Sequence, residues 1–253
     1  MKINRKNDLE YITFDNLEQT GLVKHCFTTR HGGVSTDYWA SMNMGFARGE
    51  KREPVLQNYK ILAEAVGFTA ENYVTSQQTH TTNVRRVTAA DAGKGVWTER
   101  GYTDVDGLIT NEKHIPLVIF GADCVPVFLL DKKNHAIGVA HCGWVGTGNR
   151  MAEKILQEMM RTFGTDPADV TAGNAASRWM NLCLRCSAKT SPGRRRLWKK
   201  TLRQRENIKW IYGNVTAACW QRWGCRISRF RVFAPNATRS VFIPIEAWAK
   251  KEA

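Results

Sequence analysis

The stretch "FGADCVPVFLLD", Phe120 to Asp131, decides how this chain is read. Its dense apolar run predicts a strand, or a tight strand pair, buried on both faces. Yet Asp123 and Cys124 stand at the entrance of that strand. Core packing gives no reason to place a carboxylate and a thiol there.

Outward from that stretch, the first two thirds of the chain read as an ordinary folded enzyme. Strand-like runs are "LVKHCFTT" (Leu22–Thr29), "NVRRV" (Asn83–Val87), "IPLVIF" (Ile115–Phe120), "VPVFLL" (Val125–Leu130) and "AIGVAHC" (Ala136–Cys142). Val55, Tyr59, Leu62 and Val66 fall near helical spacing and predict a helix from about Glu53 to Ala65. A second helix is expected from about Thr147 to Thr162, with Met151, Ile155, Met159 and Phe163 on one face and Gly164 ending it. That methionine stripe reads as core packing rather than a cofactor box.

The composition is split. The 253 residues carry 37 Lys+Arg and 23 Asp+Glu, a formal net charge of +14. From Asn174 to Ala253 there are 18 basic and 3 acidic residues, so 37 − 18 = 19 basic and 23 − 3 = 20 acidic remain before it. The excess is therefore confined to the tail, which also holds six of the nine tryptophans. No run of about twenty apolar residues predicts a membrane span. The opening "MKINRKNDLEYITFDN" lacks the apolar region of a secretory signal. Seven scattered cysteines, an odd number, are expected as reduced thiols in the cytoplasm.

Three polar groups interrupt the apolar framework. His80 lies in "SQQTH" ahead of one strand, Cys124 at the entrance of another, and His141 in "AHCGW" at the exit of a third. Strand ends and the adjoining loops are where such folds gather reactive groups. Two imidazoles and a thiolate are ligands zinc accepts, leaving a fourth position open. An open position suits a catalytic metal, which lowers the pKa of bound water. The same residue types also fit a metal-free nucleophile pair, Cys124 with His141. Two unrelated histidines and a buried thiol fit the spacing as well.

In these residues the chain resembles the YfiH-type family, once called laccase-domain or polyphenol oxidase proteins and now regarded as purine nucleoside phosphorylases. The pieces that carry the resemblance are "FTTRHGGVS" (Phe27–Ser35), "SMNMG" (Ser41–Gly45), "SQQTHTTNV" (Ser76–Val84), "DVDGLIT" (Asp104–Thr110), "ADCVPVFLLD" (Ala122–Asp131) and "AHCGWVGT" (Ala140–Thr147). They follow the family order over about residues 21–163. The resemblance implies an α+β fold, a mixed β-sheet with flanking helices. It also implies His80, Cys124 and His141 as metal ligands, for Zn2+ or alternatively Cu2+, with Cys124 and His141 as catalytic residues. The implied reaction is phosphorolysis of adenosine or inosine, with adenosine deamination and methylthioadenosine cleavage as companions. Copper-dependent phenol oxidation, the older reading, rests on the same ligands. Arg30 with the Gly32–Gly33 turn and Ser35 is a candidate cradle for an anionic substrate. Asp104 or Asp106 could accept a proton, although Asp before Gly107 equally suits a turn. Val145 stands where the family pattern carries arginine, and Cys142 where alanine is common.

The resemblance stops near Ala172. The family continues with a loop ending in "YEV", helices, and a strand like "FYSYR"; here come "SPGRRRLWKKTLRQR" and unpatterned Trp, Cys and Arg. Taking each codon's third base with the next two restores family-like text. Arg178 to Asn181 then gives (Val/Leu/Met)-Asp-Glu, Ala218 to Cys225 permits "LLAALGV", and Val241 to Glu246 permits "FYSYR". All three share one offset. The chain is therefore read as a catalytic domain over residues 1–172 and an out-of-frame, poorly ordered tail over 173–253. Under that reading "CLRC" (Cys183–Cys186) is no zinc or redox site, and the basic-aromatic "RRRLWKK" is no nucleic-acid surface. Nucleoside and phosphate are the expected partners, with nucleic acid and membrane not expected; the second alternative is a basic nucleic-acid-binding protein acting through the tail.

Overall fold

The computed structural model describes residues 2–121, 124–173 and 239–243. Eleven strands are described: β1 (Lys2–Lys6), β2 (Leu9–Thr13), β3 (Cys26–Thr28), β4 (Val74–Thr75), β5 (Val84–Arg86), β6 (Gly107–Thr110), β7 (Leu117–Gly121), β8 (Val125–Asp131), β9 (Ala136–Cys142), β10 (Val170–Ala172) and β11 (Arg239–Ile243). With them come helices α1 (Asp15–Glu18), α2 (Arg52–Val66), α3 (Trp144–Gly148) and α4 (Met151–Phe163). One sheet runs β1-β2-β3-β11-β7-β4 and the other β10-β8-β9-β6-β5. Both mix parallel and antiparallel pairs, since β4 lies parallel to β7 and β5 parallel to β6.

Side-chain alternation stacks these sheets. In β7, Leu117 and Ile119 enter one core with Phe128 and Leu130 of β8 and Ile137 and Val139 of β9. Val118, between them, turns to the opposite face and joins Val55, Tyr59 and Leu62 of α2. Gly138 of β9 turns to α4, where the Met159 sulfur and Ile155 would crowd any added Cβ. The layers are thus α2, first sheet, second sheet, α4. Each fully buried Leu, Ile or Phe contributes roughly 1.5–3 kcal/mol to this stack. Met151, Ile155 and Met159 are buried, so the methionine stripe is core packing.

Local chemistry sets the connections. Asn7, with φ of 53°, and Asp8 form a two-residue loop between β1 and β2. Between β8 and β9, the buried Asp131 carboxylate accepts the N–H groups of Lys133 and Asn134, an Asx turn.

Two expectations need correction. The strand expected over Leu22–Thr29 is only Cys26–Thr28, because the buried His25 ring accepts the Phe14 N–H at 2.7 Å instead of leaving that edge to a strand partner. The helix expected over Thr147–Thr162 is two helices, broken where Arg150 takes a left-handed conformation (φ 63°). Within the tail, residues 239–243 form β11, which pairs with both β3 and β7. The rest of residues 174–253, including "CLRC" and "RRRLWKK", lies outside the described residues.

His25 makes the core sensitive to acid. Burial against Phe14 and Phe128 lowers its pKa from 6.5 to about 4, only partly opposed by Glu18. The unfolded chain takes up this proton near pH 6.5 and the folded chain only near 4. Between those values the unfolded state binds more protons, so stability falls as pH drops, by about 3 kcal/mol in full. Urea midpoints measured from pH 7 to 4 should show this decline, and His25→Gln should remove that component of the slope.

Candidate metal centre

The three sequence-selected ligands converge. His141, next to last in β9, has the same parity as Ile137 and Val139, and it pairs with Pro126 of β8. Its side chain therefore belongs to the face between the sheets, at the end of their shared core. Cys124 precedes β8 with the parity of Phe128 and Leu130. His80 comes from the loop between β4 and β5. The ligand atoms of His80, Cys124 and His141 all lie within 4.8 Å of one another. The two imidazole centroids are 5.0 Å apart at 72°. His141 is buried, Cys124 half-buried and His80 exposed, which leaves one side of the cluster accessible.

Two carboxylates and one amide hold the His80 loop. The Asp106 carboxylate accepts the N–H groups of Thr79 (3.0 Å), His80 (3.2 Å) and Thr81 (2.9 Å), and the Thr81 hydroxyl at 3.1 Å. Its Oδ1 also lies 2.8 Å from His141 Nδ1. Burial works to raise the Asp106 pKa, but the His141 contact and then the Thr79 and Thr81 amides outweigh it, bringing it down to about 2. Asp104 accepts from the Thr79 hydroxyl and, at 3.1 Å, from Asn83 Nδ2. The Gln78 side chain acts as an extra ladder rung on β7: its Nε2 donates to Phe120 O and its Oε1 accepts from Phe120 N, both at 2.6 Å. Gln78 thus ties the His80 loop to the chain leading toward Cys124.

The donor set and the space both fit a metal ion. Two imidazole nitrogens and one sulfur suit tetrahedral zinc, whose ligand atoms lie roughly 3.5 Å apart for bonds of about 2.0–2.3 Å. Small side-chain rotations bring a cluster within 4.8 Å to that spacing. Gly143 lines the same hollow, since a Cβ there would lie 3.0 Å from His80 Cδ2, 3.1 Å from Cys124 Sγ and 3.4 Å from His80 Nε2. With Nδ1 engaged by Asp106, His141 offers Nε2 to the hollow.

Arg30 and Ser35 lie in a different network. The exposed Arg30 guanidinium donates to Ala40 O at 3.2 and 2.7 Å. Ser35, 4% exposed, donates to the Glu50 carboxylate at 3.0 Å and accepts from Asn58 at 2.9 Å. Neither shares a hydrogen bond with the three ligands. Sequence reasoning left Gln78 and Gly143 unassigned, although both sit beside ligand motifs.

Comparison with known proteins adds to this geometry. Residues 24–177 match the family model described as multi-copper polyphenol oxidoreductase laccase. The purine nucleoside phosphorylase YlmD of Bacillus subtilis is 35% identical over 150 residues, covering 58% of this chain and 53% of that protein. A purine nucleoside phosphorylase of Bacteroides thetaiotaomicron is 34% identical over 171 residues, 67% of this chain and 63% of the relative. The crystal structure of YlmD from Geobacillus stearothermophilus superposes with a TM-score of 0.60 at 29% identity, over 67% of this chain and 63% of that one. Bacillus licheniformis YfiH gives a TM-score of 0.68 at 21% identity over 96% and 99%, a likeness of fold. The chain matches about half the length of the YlmD proteins it resembles.

Proposed function

The chain belongs to the multi-copper polyphenol oxidoreductase laccase family, and from that premise we propose that it is a metal-dependent purine nucleoside phosphorylase. It converts adenosine or inosine and phosphate to free base and ribose 1-phosphate, with adenosine deamination and methylthioadenosine cleavage as side activities. The observation that carries the reading is the convergence of His80, Cys124 and His141 on one accessible hollow. These residues would hold Zn2+, which supplies a Lewis acid able to stabilise developing negative charge. Gly143 keeps the hollow clear of side-chain atoms. Arg30 is assigned to phosphate because its guanidinium is exposed and, among the described residues, bonded only to a carbonyl that water can replace. Ser35 contributes through the shape of the same loop.

The family description favours one second reading, copper-dependent phenol oxidation. A single three-ligand group is thin for four-electron oxygen chemistry, and among the described residues one such group is found. The two readings separate in one assay. Phosphorolysis predicts hypoxanthine from inosine only when phosphate is added. Oxygen uptake with a phenol and copper, without phosphorolysis, would replace it.

Residues 1–172 are assigned as the catalytic domain and 173–253 as text read out of the family's frame. In support, the family match ends at residue 177. β11 also overlaps the codons that permit "FYSYR" in the shifted frame. β11 pairs with β3 and β7 through main-chain bonds, which most residue types can make. Sequencing the DNA across the codons for Ala172–Ser177 tests this: one inserted or deleted base supports it, and an intact family-like frame ends it. The odd, scattered cysteine complement of the sequence supports assignment to the reducing cytoplasm. No helix among the described residues is long and apolar enough to cross a membrane.

A further inference from the structure

We propose that Asp106 is a positioning residue that sets both histidine ligands at once, fixing the His80 turn through main-chain amides while holding the His141 ring with Nε2 directed to the metal. The inference rests on the metal reading above and extends it to a residue outside the ligand set.

His80 is held in a conformation that needs support. Its φ of 65° lies in the left-handed region, which costs a residue with a Cβ roughly 1–2 kcal/mol. Such a conformation persists where surrounding bonds over-determine it. Three consecutive N–H groups, of Thr79, His80 and Thr81, converge on one carboxylate and do so here. The aim of the His80 ring therefore depends on Asp106.

The second ligand is set by the same atom. Asp106 Oδ1 accepts the His80 N–H and also contacts His141 Nδ1 at 2.8 Å. A carboxylate can only accept, so it selects the imidazole tautomer with the proton on Nδ1. That tautomer leaves the Nε2 lone pair free for a metal. The main chain of Asp106 reinforces the alignment, because its carbonyl accepts the His141 N–H at 2.8 Å and its own N–H donates to Asn83 O at 3.1 Å.

These contacts also decide against Asp106 as a proton acceptor for substrate. Its side chain is wholly buried, and five donors already meet its two oxygens. A carboxylate offers about four lone-pair sites, so little capacity is left for a reacting group.

Asp106→Asn tests the inference, because the amide keeps the shape but turns one acceptor into a donor. Competition with a chromophoric chelator should show zinc held about 10–100-fold more weakly than by the parent. The cobalt(II)-loaded variant should lose intensity in the thiolate-to-metal absorption band. Asp91→Asn is the control: Asp91 is also buried, is paired with Arg85 and Lys94, and shares no contact with the ligands. It should lower the unfolding midpoint while leaving zinc affinity at the parent value. An Asp106→Asn protein that binds zinc like the parent, with only its unfolding midpoint lowered, overturns the proposal. Should that variant fail to fold, nitrogen NMR of the metal-free parent decides instead. His141 protonated on Nδ1 supports the inference, and protonation on Nε2 overturns it. A parent that takes up no zinc would instead sink the metal reading.

Discussion

Serine in place of Cys124 should strip the site of its metal and reduce phosphorolysis at least about 100-fold, with the fold left intact. Losing an outer partner of a ligand typically costs 10–100-fold in affinity or activity, and losing the ligand itself costs more. The sulfur binds as a thiolate, which a free cysteine reaches near pH 8.5 and a metal brings lower. A serine hydroxyl does not ionise in that range, and two imidazoles are left to hold the ion. Stability should barely change, because Cys124 is half-buried at the strand's mouth and its neighbour Val125 faces solvent. Metal content after dialysis, kcat/KM and the thermal midpoint read the three effects separately. Lost activity with metal retained at full stoichiometry would give the thiol the part of a nucleophile. Retention of both would remove Cys124 from the chemistry.

The site was legible in the sequence to the extent that ligand types announce themselves. His80, Cys124 and His141 carry groups that zinc accepts, and each stands at the edge of an apolar run. Their convergence was not legible, because it depends on parity in two strands and on a loop whose shape is set by a carboxylate far along the chain. β8 and β9 were visible because residues buried on both faces read as continuous apolar runs. The hairpin of β1 and β2 was not, since "KINRK" is mostly exposed and its polar residues give no core-facing pattern. β6 was also missed as a strand: "GLIT" has four buried residues, too short a run to stand out. The break between α3 and α4 had a signal in "GTGN", where two glycines and an asparagine weaken the helix. The apolar stripe after it drew the helix start too early.

Gly143→Ala should separate the metal site from the fold more sharply than any ligand change. Gly143 has φ of −65° and ψ of 176°, extended backbone that alanine adopts readily, so glycine is not needed there for its freedom. Space is the reason. The added methyl would lie 3.0 Å from His80 Cδ2 and 3.1 Å from Cys124 Sγ, so these groups must give by a few tenths of an ångström. Without metal they can, because His80 is exposed and its ring can turn away. With metal bound they cannot, since the ion pins the ring and the sulfur together. The methyl therefore penalises the loaded state alone, and zinc affinity should drop about tenfold or more, a cost near 1.4 kcal/mol. The unfolding midpoint of the metal-free protein should stay near the parent value. Gly33 shows the opposite case: a Cβ there would meet Ser41 O at 2.1 Å, a main-chain atom that no ring rotation can clear. Equal zinc affinity in Gly143→Ala and parent would mean that the ion sits away from this hollow, and the ligand geometry would have to be drawn again.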